Sequence, residues 1–308
     1  MARKPVRKID IHVHAMNYGM TEVFRIGGTR YATPAQLIEM YDFIGVDQGV
    51  ILPEVFPEAA VVMQPSEEAK RICDEYPGKF MWFANIDPRM GDNSPDTDLS
   101  YYIEHYKALG ALGVGEVVYN EYADDPFMDN LCFHAAKCGV PITFHVGPRR
   151  GGCYGIIDDL GLPRIERMLK KHNGLRFFGH SQPFWAEIGD DCTEENRNSY
   201  PTGKHKEGAL VRIMRENPGL FGDMSAGSGF NAFARDEEFA FSFIEEFKTR
   251  LMFGTDFCYP VAKEDLGKEF GLSKWLDDNY AAGNIGEEAY YLICRGNAER
   301  ELGLDKSL

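Results

Sequence analysis

The seven cysteines, at positions 73, 132, 138, 153, 192, 258 and 294, contain no CxxC pair. An odd, scattered set builds neither a disulfide framework nor a zinc knuckle, so reduced thiols are expected. The chain has no apolar run long enough to span a bilayer. Its basic start is not followed by an apolar stretch, so no signal peptide is expected and the cytoplasm is the expected location. Positive charge is scarce: 33 Lys and Arg against 48 Asp and Glu leave a net charge of −15. Tracking phosphates or an anionic membrane needs a basic face, so neither nucleic acid nor membrane is expected as a partner. A small anionic substrate held by a few local arginines remains compatible with that balance. No linker rich in Pro, Ser or charge divides the chain, and 44% hydrophobic content supports a sizeable core, so one domain over residues 1–308 is expected. Subunit number is left open, a homo-oligomer included.

What the chain does have begins at Lys8 to Ala15, KIDIHVHA. Ile9, Ile11 and Val13 alternate with Asp10, His12 and His14, so a strand would place the imidazoles on one face. Three other short apolar runs end in ligand-type side chains: PITFH at His145, LRFFGH at His180 and LMFGTD at Asp256. Strands are expected at Arg7 to His14, Gln48 to Leu52, Phe80 to Ile86, Leu112 to Val118, Pro141 to His145, Leu175 to His180, Leu220 to Ser225 and Leu251 to Asp256. The intervening helices are Pro34 to about Gly45, Ser66 to Pro77, about Asp98 to Leu109, Pro126 to Gly139, Pro163 to about Lys171, about Glu207 to Asn217, and Glu237 to Lys248. A last helix spans about Glu287 to Glu301. Thr33 before Pro34 is a cap with proline at the first helical position.

Eight short strands alternating with helices imply a parallel sheet, as an α/β (β/α)8 barrel or, alternatively, an open doubly wound sheet. The chemistry-bearing residues fall on strands one, four, five, six and eight. A closed barrel gathers those strand ends at one mouth, whereas an open sheet scatters them. His12, His14, His145 and Asp256 then form the nitrogen and oxygen donor set of a divalent metal.

This constellation resembles the amidohydrolase superfamily of metal-dependent barrels over essentially the whole chain. The resemblance rests on IDIHVHA, FHVGP, FGHSQPFW, FGTDFCYP and the closing GNAERELGL. The last segment is similar to the amidohydrolase-related branch, which holds small hydrolases and non-oxidative decarboxylases like aminocarboxymuconate-semialdehyde decarboxylase. The resemblance implies that His12, His14, His145 and Asp256 are ligands, with His180 a further ligand or a substrate-facing acid and base. Many two-metal members bridge their ions with a carboxylated lysine on strand four, where this chain has Glu116 in GVGEVVY. That segment is similar to the glutamate-bearing strand of the TatD-like nucleases, and Glu116 is either a bridging ligand or an acceptor from a ligand histidine. One or two ions, zinc first, are implied. The implied chemistry is hydrolysis of a small cyclic amide, lactone or ester, with Asp256 taking a proton from a metal-activated water and His180 polarising the carbonyl. The alternative is decarboxylation of a small unsaturated or aromatic acid.

Around this set, Arg149 and Arg150 in the loop GPRRGGCYG are candidates to clamp a substrate carboxylate, or are solvated. Trp185, beside Phe184, is a candidate wall for a substrate ring, or packing. The long loop containing Arg25, Gly27, Gly28 and Arg30 is a candidate cover for the site. Gly227, Ser228 and Gly229 lack the lysine and spacing of a phosphate loop, and AGSGFNAFARD is expected to be a connection.

Overall fold

The computed structural model describes residues 3–17, 30–59, 62–269 and 271–304. The candidate covering residues Arg25, Gly27 and Gly28 lie outside the described residues.

Among the described residues nine strands occur in order: β1 (Lys8–Val13), β2 (Val46–Ile51), β3 (Phe80–Trp82), β4 (Val114–Val117), β5 (Ile142–Gly147), β6 (Ile156–Ile157), β7 (Phe177–His180), β8 (Leu220–Asp223) and β9 (Leu251–Met252). All pairings between them are parallel, in the runs β1-β2-β3 and β4-β5-β7-β8-β9, with β6 a short addition to β5. Bridges from Ala84 to Val114 and from Val13 to Phe257 join the two runs at both ends. The Ile11 amide donates to the Phe253 carbonyl at 3.1 Å across the second seam. The eight main strands therefore close into a barrel, and the open sheet is excluded.

Period two along each strand divides the apolar side chains between two layers. Ile9, Ile11, Val50, Leu52, Phe83, Phe178, Phe221 and Met252 fill the barrel interior. Val13, Ile51, Phe177, Leu220 and Leu251 face outward into the layer shared with the helices.

Strand β1 breaks this rule. Asp10 pairs with Gly49 and Val13 with Ile51, so three residues of β1 oppose two of β2. This bulge lets Ile11 and His12 both turn toward the barrel axis, while Asp10 turns outward. Simple alternation places Asp10 with the two histidines; the structure instead gives its carboxylate to the hydroxyls of Tyr41 (2.7 Å) and Thr255 (2.6 Å) and to the amides of His12 (3.0 Å) and Thr255 (2.9 Å). Asp10 thus fastens β1 to the segment after β9, and burial pushes its carboxyl up to about 6 despite those donors.

The first helix, Pro34–Ile44, has the expected Thr33 cap, completed by Gln36 as a capping box, and ends at Gly45 in the left-handed region with φ 77°. The segment expected to be a connection after strand seven is instead the helix Ala226–Ala234. Its glycine and serine content argues for a loop, but Phe233 packs against Trp185 and Trp275 with ring centroids 5.2 and 6.3 Å apart, and that burial outweighs the weak propensity. Helices Lys263–Glu269 and Leu272–Ala282 follow β9, and the closing helix is interrupted by a π turn, Leu292–Gly296. No helix among the described residues is long and apolar enough to cross a membrane.

Candidate metal centre

The C-terminal strand ends deliver the donors to one mouth. His12 lies on β1 and His14 just past it, Glu116 on β4, His145 on β5 and His180 at the end of β7, with Asp256 four residues beyond β9. Asp256 occupies the left-handed region at φ 55°, rare for a residue with a Cβ, and its amide donates to the His12 carbonyl at 2.8 Å. Gly115, at φ 146°, precedes Glu116; a Cβ there would lie 2.7 Å from the Thr143 carbonyl oxygen, so the approach of β4 to β5 requires glycine.

The donor atoms converge. His12 Nε2 is 3.2 Å from His14 Nε2, and His14 Nε2 is 3.4 Å from Asp256 Oδ1 and 3.5 Å from Glu116 Oε2. His12 Nε2 is 3.6 Å from each of the same two oxygens. Donors bound to one ion at about 2.1 Å stand roughly 3.0–3.4 Å apart; His12, His14 and Glu116 come close enough to that spacing to form one group able to hold a cation, and His12, His180 and Asp256 form another. The opposite side fits as well. Glu116 Oε1 is 3.2 Å from His145 Nδ1, and Glu116, His145 and His180 each offer an atom within 4.8 Å of the others. Asp256 Oδ2 faces His180 Nε2 at 3.6 Å.

The remote ring nitrogens fix which atoms face inward. His14 Nδ1 donates to the Leu52 carbonyl at 2.9 Å, which turns Nε2 toward the centre. His12 Nδ1 donates to Asp223 Oδ2 at 2.6 Å, both groups fully buried. His180 Nδ1 is 2.8 Å from the Ser225 hydroxyl, and the Ser225 amide donates to Asp223 Oδ1 at 3.0 Å.

The electrostatics favour positive charge here. Burial disfavours charge on His12, yet Asp223 and Glu116 outweigh it and carry its pKa well above the ordinary range. The same contest, won by hydrogen bonds to Asp256 and Glu116 and by the charge of Glu54, raises His14. Burial opposes ionisation of both acids, but the charge of His12 holds Glu116 well below the usual carboxylate range, and hydrogen bonding from His14 with the charges of His12 and His180 brings Asp256 down to about 2. His180, lowered by burial and by the charge of His12, falls to about 4. Ionised carboxylates thus hold positive charge at His12 and His14, the charge that a divalent cation bound by the same groups would supply in place of their protons.

The structure thus brings together His12, His14, Glu116, His145, His180 and Asp256, and it places the other three candidates elsewhere. Arg150 is exposed and ion-paired with Glu121, and Arg149 is exposed on the same loop. Trp185 is 2% exposed. It lies on the short helix Gln182–Ala186, turned back over β8: a Cβ on Gly222 would come within 2.7 Å of its ring, and its indole N–H donates to the Asp223 carbonyl at 2.8 Å. Rather than walling a substrate, it supports the residue that holds His12. The cavity beside the centre, about 70 Å³, is lined by His14, Glu54, Glu116, His145, Tyr154 and Asp256 among others. Sequence reasoning missed Asp223, Ser225, Glu54 and Tyr154. Asp223 carried a signal, since it ends β8 much as Asp256 follows β9.

No family model matches the chain, and none of the curated proteins does. Solved structures do. An uncharacterised TIM-barrel protein of Bordetella bronchiseptica is 17% identical, over 96% of this chain and 98% of that one, with a TM-score of 0.62. The 5-carboxyvanillate decarboxylase of Novosphingobium aromaticivorans, with manganese bound, is 15% identical over 97% of both chains, with a TM-score of 0.62. A probable 2-pyrone-4,6-dicarboxylic acid hydrolase of Acinetobacter baumannii is 14% identical over 97% of this chain and all of that one, with a TM-score of 0.56. Identities this low establish the barrel fold.

Proposed function

We propose that the chain is a metal-dependent hydrolase of the amidohydrolase type, acting on a small cyclic amide, lactone or ester that bears a carboxylate. The observation that carries the reading is Glu116, whose Oε2 faces His12 and His14 while its Oε1 faces His145. One carboxylate between two donor groups is what a two-ion centre requires. Zinc and manganese both suit a mixed imidazole and carboxylate set.

Divalent ions bound there supply Lewis acidity and bring the pKa of water toward neutrality. The protein's own groups do the rest. Asp256 is ionised at neutral pH, with Oδ1 toward His12 and His14 and Oδ2 toward His180, so it can accept a proton and return it to the leaving group. His180 is neutral, with Nδ1 engaged by Ser225, and presents the Nε2 lone pair to the centre. Asp223 and Leu52 orient the two β1 imidazoles.

A second reading, non-oxidative decarboxylation of a small unsaturated or aromatic acid, is supported by the likeness to the manganese-bound decarboxylase. Here the same donors would hold the metal, which would supply the positive charge that binds the acid, and His180 or a water would give the proton to the carbon as carbon dioxide leaves. Metal analysis of protein purified without added ions, followed by a screen of lactones, amides and aromatic acids scored for ring opening and carbon dioxide release, tests both. Two ions per chain with ring opening supports the first reading; one ion with carbon dioxide release supports the second. Absence of bound metal together with metal-independent turnover would sink both.

A further inference from the structure

Glu116 meets His12, His14 and His145 with its carboxylate, and its backbone is held by a side chain that follows the neighbouring strand. The ladder between β3 and β4 runs on through Ala84, whose amide donates to the Gly113 carbonyl at 2.9 Å and whose carbonyl accepts from the Gly115 amide at 3.0 Å. One residue further the chain delivers Asn85, which is 2% exposed. Its Nδ2 donates to the Glu116 carbonyl at 2.8 Å and to the Pro53 carbonyl at 2.5 Å. Two carbonyl acceptors fix the orientation of the amide, because only its nitrogen carries two N–H groups. Asn85 is itself anchored: its backbone amide donates to Ser66 Oγ at 2.9 Å, at the start of the helix Ser66–Glu75.

Both acceptors belong to segments that shape the centre. Pro53 stands between Leu52, whose carbonyl accepts from His14 Nδ1, and Glu54, whose Oε1 lies 3.4 Å from the same nitrogen. One amide nitrogen thus ties the segment that orients His14 to the residue whose carboxylate lies between His14 and His145. The other end of the side chain shows that filling space is not its role. Asn85 Oδ1 is buried and meets no donor among the described residues. An apolar side chain of similar size would avoid that cost, whereas the amide serves two buried carbonyls.

We propose that Asn85 is a positioning residue of the metal centre. By holding the Pro53 and Glu116 carbonyls together, it sets where the Glu116 carboxylate stands relative to His12, His14 and His145. The inference rests on the metal-centre reading above and adds to it a residue outside the donor set. Without the tie, every donor is still present but Glu116 is free to shift, so metal affinity falls. Asn297 provides a comparison of the same chemistry at the other end of the barrel. Fully buried, its Nδ2 donates to the carbonyls of Lys248 and Leu251, each at 2.7 Å, and joins the closing helix to the start of β9.

The test uses the full chain and manganese(II), with affinity measured by competition against a chromophoric chelator and apo stability by melting in excess chelator. Asn85→Ala should bind manganese about 10-fold more weakly than wild type, or worse, the scale usual for residues that orient metal ligands. Asn297→Ala removes an equivalent pair of hydrogen bonds, so it should lower the apo melting temperature to a similar degree while manganese affinity stays within twofold of wild type. Asn85→Ser retains one donor and should fall between Asn85→Ala and wild type; it carries the test if Asn85→Ala does not fold. Affinity within twofold of wild type in the Asn85 variant overturns the proposal. So does an equal loss of affinity in Asn297→Ala, which would trace the effect to general stability. A wild-type chain that binds neither manganese nor zinc sinks the metal-centre reading and this proposal with it, a failure that shows before any variant is made.

Discussion

Replacing Asp223 by Asn removes one charge from the fully buried contact with His12 and leaves the volume almost unchanged. The bond is short, 2.6 Å from His12 Nδ1 to Asp223 Oδ2, and neither group touches solvent. A hydrogen bond to a charged partner contributes about 1.5–3 kcal/mol against roughly 0.5–1.5 for a neutral one, so the exchange should cost about 1–2 kcal/mol of imidazole orientation and basicity. Partners of metal-bound histidines typically change affinity 10- to 100-fold, about 1.4–2.7 kcal/mol, which agrees. Asn brings a second effect. Asp223 accepts from His12 with one oxygen and from the Ser225 amide with the other. An amide side chain offers a single acceptor atom, so one of those donors must face an N–H. Metal affinity measured by competition with a chromophoric chelator, alongside thermal melting in excess chelator, separates the two effects. The expectation is at least a 10-fold weaker metal and a modest loss of apo stability. Affinity within twofold of wild type would refute the claim that Asp223 tunes His12.

The double variant His12→Ala, His14→Ala should lose bound metal and activity together; retained metal at full stoichiometry would contradict the centre. Asp256→Asn keeps an oxygen donor but cannot accept a proton at neutral pH, so it should keep much of its metal and lose turnover roughly 10²-fold or more, read as rate and metal content on one preparation. Because Arg150 is ion-paired with Glu121 and Arg149 is exposed on the same loop, replacing both by Ala should change KM by less than about twofold; a large rise in KM would put them back in the site. Glu166 is held down at about 2 by Arg212, against its burial and with help from Lys170, so its contribution to stability is complete above its ordinary value of 4.5 and fades as pH falls toward 2. Glu166→Gln should therefore cost about 1 kcal/mol in urea unfolding at pH 7, and the difference from wild type should shrink by pH 3; a constant gap would exclude linkage.

Much of the architecture is local in origin, which is why it could be read along the chain. Short apolar runs, the Thr33 and Pro34 start, and Gly45 and Gly139 after helices each act within a few residues, and they suffice to set eight alternating units. The positions of His12, His14, Glu116, His145, His180 and Asp256 at strand ends are equally local, and parallel closure alone carries them to one mouth. Three features needed the folded molecule. The bulge in β1, which parts Asp10 from the histidines, depends on register against β2. The partnership of His12 with Asp223 joins residues 211 positions apart, and Trp185 is drawn into the support of Asp223 because β8 presents a bare Gly222 to its ring. In GPRRGGCYG the residue types favour the arginines as substrate contacts, but the folded loop leaves Arg149 and Arg150 exposed and lines the cavity with Tyr154 instead. Composition determines which side chains a loop can offer; which of them faces the site is decided by dihedral angles and by neighbours that only the closed barrel brings within reach.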